Sequence, residues 1–235
     1  MKISQIIQLS DHRPTPLPQG NWLFYQEWNQ VLFVHYKVPI DELRKWVPSE
    51  LEIDTFENDA YVSVVLFRME NVRPRLLPKF APLSNFDEIN IRTYVKYKGE
   101  SGVYFLSIEA GNRLSSFLAK SLSGLPYRFS KMALKKGNYI SKNKRFGDCV
   151  KAAFTVGERI HDKTEKDIWL TERYAVFQNS SAQINTYQVH HIPWPINRVD
   201  VSRFQIHYPR FEVLFQQDIN AIHYSSGVQV LAWKG

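Results

Sequence analysis

Short apolar runs rich in β-branched and aromatic residues, most of them bounded by turn residues, recur along the chain, and only a few stretches carry a helical period. Residues 31–38, 61–69, 89–98, 103–110, 150–156, 183–191, 211–215 and 228–233 are predicted to be strands. Residues 39–47 space Ile40, Leu43 and Val47 at helical intervals and stop before Pro48, which predicts a short helix. A longer helix is predicted from Asn112, a good N-cap, through Leu114, Phe117, Leu118 and Leu122 to a stop at Gly124. Residues 168–178 fit either element. So many short strands favour a sandwich or a closed barrel over a doubly wound sheet.

The strand that begins at Glu88 carries the most informative pattern. Alternation puts Glu88, Asn90, Arg92 and Tyr94 on one face and Ile89, Ile91, Thr93 and Val95 on the other. The polar face is either a solvated outer surface, the commoner outcome for an antiparallel strand, or the wall of a cavity where a carboxylate and a guanidinium bind a small polar or acidic ligand. Glu109 and Arg113 bracket the turn into the longer helix and are expected to pair, as a surface ion pair or as part of a site. Glu172 and Arg173 pose the same question. His190 and His191 precede Ile192-Pro193-Trp194-Pro195; adjacent strand residues point to opposite faces, so the two imidazoles do not converge on one ion and no metal is expected. His190 or His191, together with Trp194, remains a candidate for the cavity wall. No motif for a nucleotide triphosphate, a dinucleotide or a nucleophilic serine occurs, and no cofactor is expected.

The 235 residues are 44% hydrophobic, with 15 Phe, 12 Tyr and 6 Trp, enough for a sizeable core and against disorder. One domain spanning residues 1–235 is expected, with residues 1–27 as a lead-in made extended by Pro14, Pro16 and Pro18. The formal net charge of +7 raises the question of nucleic acid. Its densest patch is Lys131, Lys135, Lys136, Lys142, Lys144 and Arg145 around Gly137 and Asn138, which reads as a solvated hairpin, so no nucleic-acid partner is expected. Cys149 is the single cysteine, which excludes an intramolecular disulfide, and no apolar run approaches the ~20 residues of a bilayer span. A cytoplasmic protein with a small-molecule ligand and no membrane partner is expected; the oligomeric state, a homodimer included, stays open.

The segments His12-Arg13-Pro14 with Trp28, Leu32 to His35, Leu51 to Phe56, Phe67 to Met69, Asn90 to Val95, Gly124 to Tyr127, Leu170 to Tyr174, His190 to Pro195 and Gly227 to Trp233 occur in an order that resembles an uncharacterised bacterial family, a domain of unknown function related in fold to acetoacetate decarboxylase. The resemblance implies a mainly β fold, a closed antiparallel β-barrel with a central, largely apolar cavity and a few helices outside. Phe86-Asp87-Glu88 resembles the decarboxylase segment that carries an active-site glutamate, which moves Glu88 toward the cavity. In that enzyme the helix is followed by Gly-aromatic-Pro-Lys-Lys, whose first lysine forms a Schiff base and whose second depresses its pKa, a known example of activation by an adjacent cation. Here Gly124-Leu125-Pro126 is followed by Tyr127 and Arg128. A phenol cannot condense with a ketone and a guanidinium stays protonated, so iminium chemistry has no starting atom there. Lys131, on the face of Tyr127 if 127–131 is a strand, is the one displaced amine considered. Two functions follow: a binding cavity for an apolar or weakly acidic metabolite, or a non-covalent acid/base lyase, isomerase or hydrolase using Glu88, Tyr127, Arg128 and Arg92.

Overall fold

The computed structural model describes residues 1–117, 124–179 and 183–234. Among the described residues thirteen strands make one sheet: β1 (Phe24–Val38), β2 (Glu52–Ile53), β3 (Ala60–Pro74), β4 (Phe86–Tyr97), β5 (Glu100–Ala110), β6 (Tyr127–Phe129), β7 (Lys131–Lys135), β8 (Asn138–Asn143), β9 (Asp148–Arg159), β10 (Ala175–Asn179), β11 (Ile184–His190), β12 (Ile196–His207) and β13 (Ile219–Lys234). The order β1-β3-β4-β5-β10-β11-β13 returns to its start, because β13 also pairs with β1. From β13 the sheet continues through β12, β9, β8 and β7.

Both seams of this ring have a glycine where a side chain would not fit. At the β1–β13 seam Gly227 lies opposite Asn29 with φ +135°, and a Cβ there would meet the Trp28 carbonyl oxygen at 2.5 Å. Beside the β5–β10 seam, a Cβ on Gly102 would meet the Ala175 carbonyl oxygen at 2.6 Å. That second seam is parallel, so the expected all-antiparallel arrangement is corrected at this pairing.

Alternation along β1 and β3 divides the interior in two. Leu32, Val34, Val62 and Val64, with Ile89 and Ile91, pack against Tyr139, Val150 and Phe154 of the strands folded over the outside. Val31, Phe33, Val65 and Phe67 point the other way, into the ring, and line a cavity. The short helix Ile40–Arg44 forms where the spacing of Ile40, Leu43 and Val47 predicts one. The ambiguous stretch resolves into the helix Glu165–Thr171 followed by β10, with Thr164 and Asp167 forming a capping box. Asn112 caps a helical segment at residues 113–117, its Oδ1 accepting from the Leu114 and Ser115 amides; Leu118 and Leu122 lie outside the described residues.

Three expectations change. Residues 211–215 belong to a 3-10 helix, Pro209–Phe215, because Pro209 opens it and the three-residue spacing of Phe211 and Leu214 buries both. β12 went unpredicted: its exposed Arg198, Asp200, Ser202 and Arg203 give it little apolar signal. The lead-in is not all extended, since Ile3–Gln8 is helical and buries Ile6, and β1 already begins at Phe24. No helix among the described residues is long and apolar enough to cross a membrane.

Candidate functional site

The cavity inside the ring has a volume of about 190 Å³. Its walls are mostly apolar, from Phe33, Val65, Phe67, Val103, Phe105 and Trp194, and its polar groups are few: Glu88, Asn90, Arg92, Tyr127 and Arg173 among them. The polar face of β4 is therefore the inner face of the sheet, the cavity-wall alternative of the two and the one toward which the family resemblance moves Glu88. Pairing explains the convergence. Asn90 lies opposite Ile108 of β5, and Ile108 lies opposite Tyr127 of β6, so a phenol two strands away reaches the β4 carboxylate.

The Tyr127 hydroxyl donates to Glu88 Oε2 at 2.9 Å. Glu88 is 3% exposed, and burial raises its carboxyl pKa to about 7 against the lowering effects of Tyr127 and Asn90. Burial and the neighbouring carboxylate push the Tyr127 phenol well above its ordinary range. The pair therefore holds a carboxyl poised to gain or lose a proton near neutrality beside a phenol that stays neutral.

Deeper in, Arg92 is buried with Nε and Nη2 lacking any hydrogen-bond partner. Its guanidinium lies over the Phe33 ring, 5.6 Å from the centroid, and against the Tyr94 phenol, which favours its charge while burial opposes it. Arg173 Nη1 donates to Asp54 Oδ2 at 2.8 Å, and its Nη2 has no partner. Asn90 Oδ1 is likewise buried and unpaired. A buried guanidinium with no carboxylate costs several kcal/mol unless something anionic meets it. The cavity wall thus contains three donor atoms and one acceptor without hydrogen-bond partners, beside a tunable acid and among mostly apolar side chains.

The other residues singled out in the sequence distribute unevenly. Trp194 lines the cavity, buried against Trp28 and Phe33. Tyr94 is buried on the same face, beyond the cavity wall, with its hydroxyl donating to the Leu170 carbonyl at 2.8 Å. Arg128 lies outside the cavity: its Nη2 is 2.7 Å from Glu109 Oε1 and 3.1 Å from Asp148 Oδ2. Glu109 also accepts from Ser130, so its cation is Arg128 and not Arg113, which is exposed and stacks over Phe129. The expected pairing fails because the parallel register sets Arg128 directly opposite Glu109. His190 is buried outside the cavity with Nε2 on the Ile6 carbonyl, while His191 packs on Tyr174 and Trp194. Glu172 and Arg173 do not pair with each other; Glu172 takes Lys163.

Lys131 is exposed and lies opposite Lys142 in the β7–β8 hairpin, away from the cavity. An amine missed by the sequence reading, Lys234, stands at the cavity rim, exposed at the end of β13. Arg173 was also undervalued. Its signal was the buried company it keeps in Leu170 to Tyr174, but Asp54, its partner, is 119 residues away in the chain.

A family model described as an uncharacterized conserved protein, DUF2071, matches residues 25–229. The uncharacterized protein YqjF of Bacillus subtilis is 35% identical over 198 residues, covering 79% of this chain and 80% of that protein. The crystal structure of acetoacetate decarboxylase from Legionella pneumophila superposes with a TM-score of 0.63 at 15% identity, covering 97% of this chain and 93% of that one. The enduracididine biosynthesis enzyme MppR complexed with pyruvate gives 0.61 at 14% identity, covering 96% and 94%. These two likenesses establish a shared fold.

Proposed function

The chain belongs to the DUF2071 family, and on that footing we propose that it binds a small organic carboxylate with an apolar body, held head-first against Arg92 without covalent attachment. The observation that carries this reading is the pair of unpaired donors on a buried guanidinium, Nε and Nη2 of Arg92, in a wall that is mostly apolar. Arg173 Nη2 adds a third donor, and Asn90 Oδ1 suits a hydroxyl or amine on the same ligand. The reading treats the ring of strands as a closed barrel wall, with the ligand's apolar end toward Leu23, Leu125 and Lys234. MppR, a neighbour in fold, was solved with pyruvate, a carboxylate of this general kind.

A second reading has its own observation. Glu88, with a pKa of about 7 and a phenol at 2.9 Å, has the properties of a general acid or base, which suits a lyase, isomerase or hydrolase acting on the bound acid. Schiff-base decarboxylation is not part of either reading, since the positions after Pro126 are Tyr127 and Arg128 and the rim amine of Lys234 is exposed.

Calorimetric titration with hexanoate and hexan-1-ol, equal in chain length and differing in charge, tests the proposal. Hexanoate should bind at least about tenfold tighter than the alcohol, and Arg92→Met should remove that preference. Equal affinities in the native protein would refute it.

A further inference from the structure

Beyond the cavity floor, the inner face of the sheet carries an unbroken line of polar side chains that the binding site does not use. Asp167 Oδ1 lies 2.8 Å from His223 Nε2. His223 Nδ1 is 3.2 Å from His35 Nε2, and His35 Nδ1 is 2.7 Å from Ser63 Oγ. Ser63 Oγ is 2.6 Å from the Tyr94 hydroxyl, which rests against Arg92. Strand register builds the line: His35 lies opposite Ser63, and Ser63 opposite Arg92. His35, Ser63, Tyr94 and His223 are buried, whereas Asp167 is 19% exposed and is held by the Thr164 capping box.

We infer that Asp167, His223, His35, Ser63 and Tyr94 form a hydrogen-bond relay whose direction reverses when His223 takes a second proton, and that this direction sets how firmly Tyr94 holds Arg92. Donor and acceptor bookkeeping gives the chain two states. Asp167 can only accept, so His223 Nε2 always donates to it. With His223 neutral, His35 Nε2–H donates to His223 Nδ1, and the Ser63 hydroxyl donates to His35 Nδ1. The single phenolic hydrogen of Tyr94 then has three acceptor atoms within reach, Ser63 Oγ, the Leu170 carbonyl and, at 3.3 Å, His35 Nδ1. With a proton added at His223, the three bonds that link His223 to Tyr94 reverse: His223 Nδ1–H donates to His35 Nε2, His35 Nδ1–H to Ser63, and Ser63 to Tyr94, while Tyr94 donates to Leu170. No covalent bond other than N–H or O–H changes: the chain as a whole gains one proton from water, which gives His223 its charge, and His35 exchanges its Nε2 hydrogen for one on Nδ1. In that state Tyr94 has given one lone pair to Ser63 and holds Arg92 less, and a positive charge has been added behind the cavity floor. Both changes favour a bound anion.

His223 is the site of protonation because it alone of the two histidines faces a carboxylate; burial first, and Lys163 after it, hold its pKa below the ordinary histidine range against the favouring contact with Asp167. His35 faces His223, Arg92 and Lys166, all cationic or able to become so, and stays neutral; burial adds to this by holding it well below the ordinary histidine range.

Histidine ¹⁵N correlation spectra of the full chain between pH 8 and pH 4 test the relay without any ligand. His35 should bear its proton on Nε2 at high pH and exchange it for an Nδ1 proton as His223 becomes cationic, remaining neutral throughout. A His35 that keeps its Nε2 proton while His223 titrates, or that itself becomes cationic, overturns the relay, as does a His223 that stays neutral down to pH 4. The coupling to the cavity rests on the carboxylate reading and is measured in a Glu88→Gln background, which removes the other group titrating there. Hexanoate affinity should rise about fivefold as pH falls through the His223 titration, and Ser63→Ala should abolish that rise. A tautomer exchange with no such rise overturns the coupling; absence of hexanoate binding at every pH sinks the carboxylate reading and leaves the relay judged by the spectra alone.

Discussion

Arg92 and Arg128 sit a few strands apart, and the structure treats them in opposite ways. Arg128 is held between two carboxylates, Glu109 and Asp148, with Ser107 completing its bonds. Arg92 has no carboxylate and two unpaired donor atoms. A guanidinium with its counterions built in is part of the fold; one buried without them is an unfinished electrostatic arrangement that a ligand completes. The comparison teaches which of two arginines, both plausible from the sequence, belongs to a site.

The comparison is most readily broken by mutation, judged by stability. Arg128→Ala should destabilise by about 3–5 kcal/mol in urea unfolding, because it strands Glu109 and Asp148 without a cation; a loss under 1 kcal/mol would mean Arg128 is not structural.

The next effect belongs to Glu88, whose pKa rises on folding from 4.5 to about 7. A carboxyl with a raised pKa stabilises the fold fully below about pH 4.5 and loses that contribution progressively as pH climbs to about 7, at roughly 1.4 kcal/mol per pH unit. Glu88→Gln should flatten this part of the pH–stability curve, measured by urea midpoints from pH 4 to pH 8.

Arg92→Met should raise stability by about 1 kcal/mol, the sign opposite to that at Arg128, since it removes a buried charge that has no carboxylate beside it. Thermal unfolding of the two variants side by side sharpens the contrast, and a destabilised Arg92→Met would erase it.

The smallest effect is expected at Lys234. Lys234→Ala should change stability by less than about 0.5 kcal/mol, and borohydride treatment with pyruvate should leave the mass of the native protein unaltered. A trapped adduct lost in Lys234→Ala would restore covalent chemistry through the rim.

What the sequence made legible follows from what is local. The alternation on β4 grouped Glu88, Asn90 and Arg92 correctly, and the hairpin around Gly137 was readable from its turn residues. Which face of β4 turns inward was not readable, because that depends on β7, β8 and β9 covering the opposite side. The true partner of Glu109 was hidden for a similar reason: Arg128 is 19 residues away and arrives through a parallel pairing that leaves no periodic trace. The line from Asp167 to Tyr94 draws on the helix Glu165–Thr171 and on β13, β1, β3 and β4, and spacing within any one of them reveals none of it.

The most direct measurement is the ¹⁵Nε spectrum of the arginine side chains during titration with hexanoate. The Arg92 Nε–H resonance should move downfield and become protected from exchange, with Arg128 silent and hexan-1-ol without effect. Movement at Arg128 with Arg92 unchanged, or the same response to the alcohol, would contradict the account.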